Sequence, residues 1–454
     1  MKLRFLWLCL ILLPILACGN PLADRAKVDV KITRVRLARF NTVTPSPSPA
    51  PTLSPSPTST PTATLTPVPT VSPPPPTATP WPTTTSTPTK VLAPAPKPTA
   101  TPGPAAVRSE VAVLPAPAVE PAILAADAYH LGYGVQLAEA KNMALAAKNG
   151  FTWAKHDLNL RKDTNFLTNA DNLLSDLRKS GTEHVLLKLI VWTAAGLPDA
   201  PRTADEVNTF AKNAGEAAKF VRNRHGDLFT TIAYEIWNEP NLNYEWEGNP
   251  NPAEYVALLR ATSAAIRQAD PQAFIVSGAP SPGGDYDDLK FLEGMYAGGV
   301  KGLMDAVGSH PYGGPWAPNH PTGVDASGNG YPYFRKPEAQ RAIMEKYGDI
   351  ETQIWATEFS WLAGLPGCNF GEHTPWQVTV QQQADYLVTA YQYAHQNWPW
   401  MGPMFVVYDF GLTGRYDRCH PAGGYSILRP EPNSDNIVSP AAAALFAMPK
   451  YPGR

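Results

Sequence analysis

The stretch "TIAYEIWNEPN" (residues 231–241) is an apolar run that ends in an acid, Glu239, set between Asn238 and Pro240. A continuous apolar run of this length predicts a strand buried on both faces, as in a parallel sheet. Pro240 fixes its own φ and stiffens the turn directly after the acid. The sequence therefore places a carboxyl group on rigid backbone at the end of a buried strand, where we expect it to do chemistry.

Similar apolar runs recur along the chain and alternate with amphipathic segments. The predicted strands are 130–136, 151–157, 184–192, 231–239, 273–279, 305–310, 353–359 and 403–410. The predicted helices are 138–149, 167–180, 204–224, 253–268, 287–297, 336–347, 379–396 and a last one near 440–447. Eight strands that are each followed by a helix predict an α/β fold, a (β/α)8 or TIM barrel, over residues 125–454.

A second acid, Glu358 in "ATEFSW" (residues 356–361), stands at the end of the seventh predicted strand. Catalytic groups of such barrels lie at the carboxyl ends of the strands, so Glu239 and Glu358 are expected to face each other across one mouth. Two carboxyl groups that flank a sugar are the equipment of glycoside hydrolysis. Glu235 lies deeper in its strand than Glu239, where a structural ion pair is expected.

The sequence "WNEPN", followed about 120 residues later by "ATEFSW", resembles clan A glycoside hydrolases, most of all families 39 and 5. The resemblance covers residues 130–454. It implies a retaining mechanism with Glu239 as acid/base and Glu358 as nucleophile. It also implies a hydrogen bond from Asn238 to the sugar 2-hydroxyl.

The "HPY" at residues 310–312 resembles the His-x-Tyr of the same clan. That likeness implies that Tyr312 donates a hydrogen bond to the nucleophile and that His310 lines the site. Both residues follow the sixth predicted strand, so they are expected at the same mouth as the two acids.

Two positions depart from the pattern of the clan. Where the clan often has an arginine after the second strand, this chain has Lys155, which is expected to supply the positive charge beside the nucleophile. Where the clan often has a tryptophan after the eighth strand, at the floor of the sugar site, Tyr408 or Asp409 stands here, and Tyr408 is expected to contact the substrate. Trp192 and Trp361 follow the third and seventh strands, where each either stacks on a sugar ring or packs in the core.

The leading interpretation is a monomeric glycosidase that acts on β-linked poly- or oligosaccharide. The alternatives are a non-catalytic sugar-binding surface lipoprotein on the same barrel, or a transglycosylase with the same residues. We expect no cofactor, because no His/Cys/Asp cluster has metal spacing and no Gly-rich phosphate loop is present. A net charge of −2 without a basic stripe argues against a nucleic-acid partner.

Residues 1–17 have the positive start and short apolar core of a signal peptide. The Ala17-Cys18 pair resembles the lipobox of bacterial lipoproteins, which implies cleavage before Cys18 and a lipid on its sulfur. The expected location is the extracellular face of the cell membrane, lipid-anchored, or secretion if Cys18 is incidental. The membrane is then a partner through this anchor alone.

Residues 18–124 form a tether that is expected to be disordered. Residues 45–104 hold 21 of the 50 prolines, interleaved with Thr and Ser, and this composition cannot bury a core. Beyond the tether only Cys368 and Cys419 remain, in the loops after the seventh and eighth strands. Because those strands are neighbours and the compartment is oxidising, we predict a disulfide between them.

Overall fold

A computed structural model describes residues 130–161, 163–324, 332–414, 416, 419–430 and 437–451. The predicted signal peptide (residues 1–17) and tether (residues 18–124) lie outside the described residues. The strands are β1 (Tyr133–Gln136), β2 (Trp153–Asn159), β3 (His184–Ile190), β4 (Thr231–Ile236), β5 (Phe274–Ser277), β6 (Ala306–Ser309), β7 (Gln353–Phe359), β8 (Leu362–Ala363), β9 (Gln377–Val378) and β10 (Met401–Val407).

Eight of the nine described α-helices overlap the predicted helical segments, whereas the five-residue α8 was not predicted. They are α1 (Met143–Lys148), α2 (Phe166–Lys179), α3 (Ala204–His225), α4 (Pro252–Ala269), α5 (Asp288–Ala297), α6 (Lys336–Lys346), α7 (Val380–Asn397), α8 (Pro421–Tyr425) and α9 (Pro440–Ala447). Capping explains where several of them begin: Thr203 and Thr379 each form a capping box with the side chain three residues later. None of the described helices is both long enough and apolar enough to cross a membrane.

Eight of the strands close into a barrel in the order β1-β10-β7-β6-β5-β4-β3-β2, and all of their pairings are parallel. This confirms the predicted (β/α)8 fold. The two-residue strands β8 and β9 pair with each other in a separate small sheet. They were not predicted, because strands of two residues leave no periodic signal.

The inside of the barrel is divided into two layers. The lower one, called the apolar layer, packs as one cluster of Trp153, Leu186, Ala233, Phe274, Val276, Ala306, Trp355 and Phe405. Side chains in a strand alternate between the two faces, so the next inward positions up β2, β3 and β4 follow two residues later, and one more on β2 follows four residues later. These positions form the charged layer, which consists of Lys155, Asp157, Lys188 and Glu235.

The end of β4 breaks the alternation. The sequence predicted a strand through Glu239, but β4 stops at Ile236 because Trp237 has a φ of 69° and Glu239 a φ of 27°. Both values are left-handed and strained for residues with side chains. The Trp237 ring leaves the barrel interior and packs against Phe210 and Trp246. Asn238 and Glu239 consequently emerge at the mouth.

A bulge in β7 places the second acid. Trp355 belongs to the apolar layer, so strict alternation would point Glu358 away from the interior. Along the pairing with β10, however, Met404 faces Ala356 and Val406 faces Phe359. Three steps on β7 therefore match two on β10, and the extra residue turns Glu358 inward.

The predicted disulfide is confirmed: Cys368 and Cys419 are bonded, with their Cα atoms 4.9 Å apart. It links the loops that follow β7 and β10. Beneath it lies a second apolar cluster, called the wall cluster, which consists of Tyr312, Leu362, Ala363, Leu365, Phe370, Val407, Phe410, Ala422 and Tyr425. Because Tyr312 belongs to this cluster, the bridged loops and the mouth of the barrel share packing.

Candidate active site

Glu358 is held through both of its carboxylate oxygens. Gln136 Nε2 donates to Oε1 at 2.7 Å, and Lys155 Nζ donates to the same oxygen at 3.2 Å. The Tyr312 hydroxyl donates to Oε2 at 3.1 Å, as the resemblance implied. The strands β1, β2 and β7 and the loop after β6 each supply one member of this set, so the barrel geometry itself fixes the carboxylate.

A second lysine and a histidine lie near the same acid. Lys188 Nζ lies 3.7 Å and His310 Nε2 lies 3.8 Å from Glu358 Oε1. Burial alone would raise the pKa of Glu358, but the charges of His310, Lys155 and Lys188 outweigh it and hold that pKa well below its ordinary value. The carboxylate is therefore ionised at neutral pH.

Glu239 lies at the same mouth and is 6% exposed. His310 Nδ1 is 2.9 Å from Glu239 Oε1, while Nε2 of the same ring faces Glu358. One imidazole ring thus stands between the two acids. The alternation along β6 explains this, because His310 is two residues beyond Gly308 and four beyond Ala306 of the apolar layer.

Asn238 is clamped by two buried charges. Its Nδ2 donates to Glu245 Oε1 at 2.9 Å, and its Oδ1 accepts from Lys188 Nζ at 3.3 Å. The backbone carbonyl of Glu245 also accepts from Trp237 Nε1 at 3.2 Å. Glu245 therefore supports both the strained turn and the amide that follows it.

Lys155 lies beside Glu358, as the sequence predicted, and it has a second function in the charged layer. Its Nζ is 2.8 Å from Glu235 Oε2, with both side chains fully buried, and it donates to the Thr357 carbonyl at 3.1 Å. The predicted structural ion pair of Glu235 is thereby confirmed.

The residues after β10 do not form the floor of the site, and the prediction for Tyr408 is wrong. Phe405 points into the barrel, so Val407 does too and Tyr408 points out, where it is fully buried in the main core. Asp409 accepts from the backbone N–H groups of Ala138 and Glu139, at 2.6 and 3.1 Å. It fixes the loop after β1.

The aromatic residues after β3 and β7 have different outcomes. Trp361 is fully buried, its ring packs against Phe334 and Tyr386, and its indole N–H donates to the Trp316 carbonyl at 2.7 Å. It offers no face to a sugar, so its prediction as a stacking platform is wrong. Trp192 is 6% exposed at the edge of the main core, and its contact with substrate stays a prediction.

Three residues of the site were missed by sequence reasoning: Gln136, Lys188 and Glu245. Lys188 had a usable signal, because a lone charge inside the apolar run "HVLLKLIVW" must find a partner when buried. Gln136 and Glu245 had none that the chain alone reveals. Within the described ranges, no three His, Cys, Asp or Glu side chains are grouped in a way that could hold a metal ion.

Neither a protein-family model nor a curated protein matches the sequence. Among solved structures, the chain is similar to a family 39 glycoside hydrolase from the gut symbiont Bacteroides cellulosilyticus WH2. That match has a TM-score of 0.51 and 20% identity over 71% of this chain and 64% of the other. This chain thus spans less than two thirds of that protein.

Two further solved structures match with lower TM-scores. A monomeric β-xylosidase from Caulobacter crescentus CB15 gives a TM-score of 0.47 at 17% identity, covering 70% of this chain and 67% of the other. The GH53 catalytic domain of Ignisphaera aggregans gives 0.48 at 16%, covering 70% and 96%. At such identities likeness concerns architecture alone, and the match at a TM-score of 0.51 supports the (β/α)8 fold of this chain.

Proposed function

We propose that this barrel is a retaining glycoside hydrolase for β-linked poly- or oligosaccharide, with Glu239 as acid/base and Glu358 as nucleophile. The observation that carries the proposal is the pair of acids at one mouth, one of them ionised by surrounding cations and the other joined to it through His310. Carboxyl groups with different environments are what this reaction needs.

In the first step, a Glu358 oxygen bonds to the anomeric carbon while the glycosidic C–O bond breaks. Glu239 gives its proton to the departing oxygen, so the leaving group departs as an alcohol. The environment of Glu358 favours Oε2 as the attacking atom, because Oε1 is bonded to both Gln136 and Lys155. Burial raises the pKa of Tyr312 well above its ordinary value, so its hydroxyl stays a donor to Oε2.

In the second step, Glu239, now a carboxylate, takes a proton from water. The resulting hydroxide oxygen bonds to the anomeric carbon and the bond to Glu358 breaks. Lys155 and Lys188 favour this departure, because they stabilise the carboxylate that is released. Two inversions at one carbon leave its configuration unchanged.

The proposal is tested with the purified full chain on 4-nitrophenyl β-D-xyloside, glucoside, galactoside and mannoside and on β-linked polysaccharides. We expect hydrolysis of at least one of them, with the β-anomer as the first product in the proton NMR spectrum. Glu358→Gln should abolish turnover, while Glu239→Gln should impair poor leaving groups more than 2,4-dinitrophenolate. Glu372→Gln is the matched control, since Glu372 is an exposed carboxylate in the loop after β7.

Each alternative has its own result in the same assay. Sugar binding without hydrolysis would make the barrel a binding module, and hydrolysis that survives Glu358→Gln would refute the assigned nucleophile. Oligosaccharide products longer than the substrate, formed when an acceptor sugar is added, would identify a transglycosylase. A first product with the α configuration would refute retention.

We further propose that the barrel acts as a monomer at the extracellular face of the cell membrane, held by a lipid on Cys18. The support is the order of segments in the chain: an apolar N-terminal core, Ala17-Cys18, and a Pro-rich tether that precedes the barrel. A tether of this composition keeps a domain at a distance from its anchor, which suits a polymeric substrate outside the cell.

A further inference from the structure

We infer that Lys188 and Glu245 are positioning residues that fix the side-chain amide of Asn238 in one orientation, so that the site reads the C2 substituent of the sugar as a hydrogen-bond acceptor. This inference rests on the proposed function for its substrate, and on the contacts of three buried side chains for its geometry.

The two atoms of the amide face opposite charges. Asn238 Oδ1 faces the ammonium of Lys188 at 3.3 Å, and Nδ2 faces the carboxylate of Glu245 at 2.9 Å. Rotating the amide by half a turn would place its NH2 against the ammonium and its oxygen against the carboxylate. Both contacts would become repulsive in a buried site, where unpaired polar groups are most costly.

The ammonium of Lys188 has one nearby acceptor for each of its N–H bonds. An ammonium carries three N–H bonds, and its nitrogen lies 3.1 Å from Asp157 Oδ1, 3.3 Å from Asn238 Oδ1 and 3.7 Å from Glu358 Oε1. The side chain is fully buried. Burial acts to lower the pKa of Lys188, but Asp157, Glu358, Glu235 and Glu245 raise it well above its ordinary value, so the group stays charged.

This arrangement leaves one hydrogen on Asn238 Nδ2. Its partner hydrogen is committed to Glu245, and Oδ1 is committed to Lys188. The remaining N–H can only donate, so the atom attached to C2 that meets it must accept. A hydroxyl at C2 satisfies the amide, whereas a ring with a methylene at C2 leaves a buried donor unpaired.

Lys155 offers the matched control. Like Lys188, it is a fully buried lysine of the charged layer that touches Glu358 Oε1, at 3.2 Å. Unlike Lys188, its bonds go to Glu235 and the Thr357 carbonyl rather than to the amide. Removing either ammonium should disturb the nucleophile, but removing Lys188 alone should also release Asn238.

The experiment compares Lys188→Met, Glu245→Gln and Lys155→Met in the full chain. The probes are the 4-nitrophenyl β-glycoside that the wild type hydrolyses fastest and its 2-deoxy analogue. In wild type we expect kcat/KM for the parent sugar to exceed that for the analogue by a factor of at least about 100. Lys188→Met and Glu245→Gln should each reduce this ratio by at least about tenfold. A released amide can rotate, so it no longer requires a hydrogen-bond acceptor at C2.

Lys155→Met should lower kcat and move the acidic limb of the pH profile upward while the ratio between the two sugars stays as in wild type. A ratio that falls equally in the two lysine variants, or that is unchanged in Lys188→Met, would overturn the inference. Glu245→Gln preserves side-chain volume and gives a second reading if Lys188→Met does not fold.

A measurement without substrate separates this inference from the proposed function. The signal of the Asn238 side-chain amide in the nitrogen-15 NMR spectrum is identified by its loss in Asn238→Asp. This amide should be protected from hydrogen exchange in wild type and in Lys155→Met. It should exchange faster in Lys188→Met and Glu245→Gln. Equal exchange in all four proteins would refute the clamp whether or not the protein hydrolyses glycosides, and an inactive wild type with a protected amide would refute only the proposed function.

Discussion

Removal of the Cys368–Cys419 disulfide should lower the melting temperature of the barrel by about 6 °C. The bridge joins residues 51 positions apart. In the chain-entropy model, closing a loop of that length stabilises the folded state by about 4 kcal/mol at 25 °C. A domain of roughly 320 residues has an unfolding entropy of about 0.7 kcal/mol/K, and dividing the lost stabilisation by this entropy gives the expected shift.

The variant to measure is the double substitution Cys368→Ser/Cys419→Ser, since a single change would leave a free thiol. Differential scanning calorimetry should show the lower melting temperature, and wild type in reducing buffer should melt with the double variant. The double variant itself should not respond to the reductant. A shift below about 2 °C, or a wild type that is insensitive to reductant, would show that the packing of the wall cluster, not the bridge, holds these loops.

Three further changes test other parts of the chain. Gly278→Ala would place a Cβ 2.7 Å from the Ile236 carbonyl oxygen and 3.0 Å from that of Trp237. We expect the free energy of unfolding in urea to fall by about 1–3 kcal/mol and turnover to be reduced. Unchanged stability would contradict the close approach. Burial lowers the pKa of His184 from 6.5 to about 4, so the unfolded chain binds more protons between those values and stability falls as pH drops from 6.5 toward 4. In urea titrations at pH 5 and pH 7, the free energy of unfolding of His184→Gln should therefore depend less on pH than that of wild type. An equal pH dependence in both proteins would refute the attribution of this effect to His184. Mass spectrometry of the mature N-terminus should find acylated Cys18, and an unmodified terminus elsewhere in the chain would refute the anchor.

The architecture was predictable because each strand carries its own local signal. The apolar run of β7 was predicted at 353–359 and lies at Gln353–Phe359, and α6 was predicted at 336–347 and lies at Lys336–Lys346. In a parallel barrel both faces of a strand are buried, so the run survives whatever the neighbours are. Strand ends were less predictable, as β4 shows by stopping at Ile236.

The site was only partly predictable, for reasons of direction. Which face a side chain takes at a strand end depends on bulges and left-handed residues, which leave no mark in hydrophobicity. The bulge in β7 brings Glu358 inward, whereas unbroken alternation sends Tyr408 outward, and no pattern in the chain distinguishes the two cases. The clan resemblance supplied the correct position for Tyr312, but it had no counterpart for Lys188, whose partners come from three other strands or their ends.

The apolar layer, in which no side chain is more than 6% exposed, closes the barrel interior from below. Water and ions must therefore reach the charged layer through the mouth that the substrate would fill. In the proposed reaction an occupied site then exchanges no protons with solvent, because no water reaches it from below. The proton that Glu239 gives to the leaving group must return from the incoming water, so each turnover restores the starting number of protons in the site. The second half-reaction can begin only after water enters where the leaving group departed.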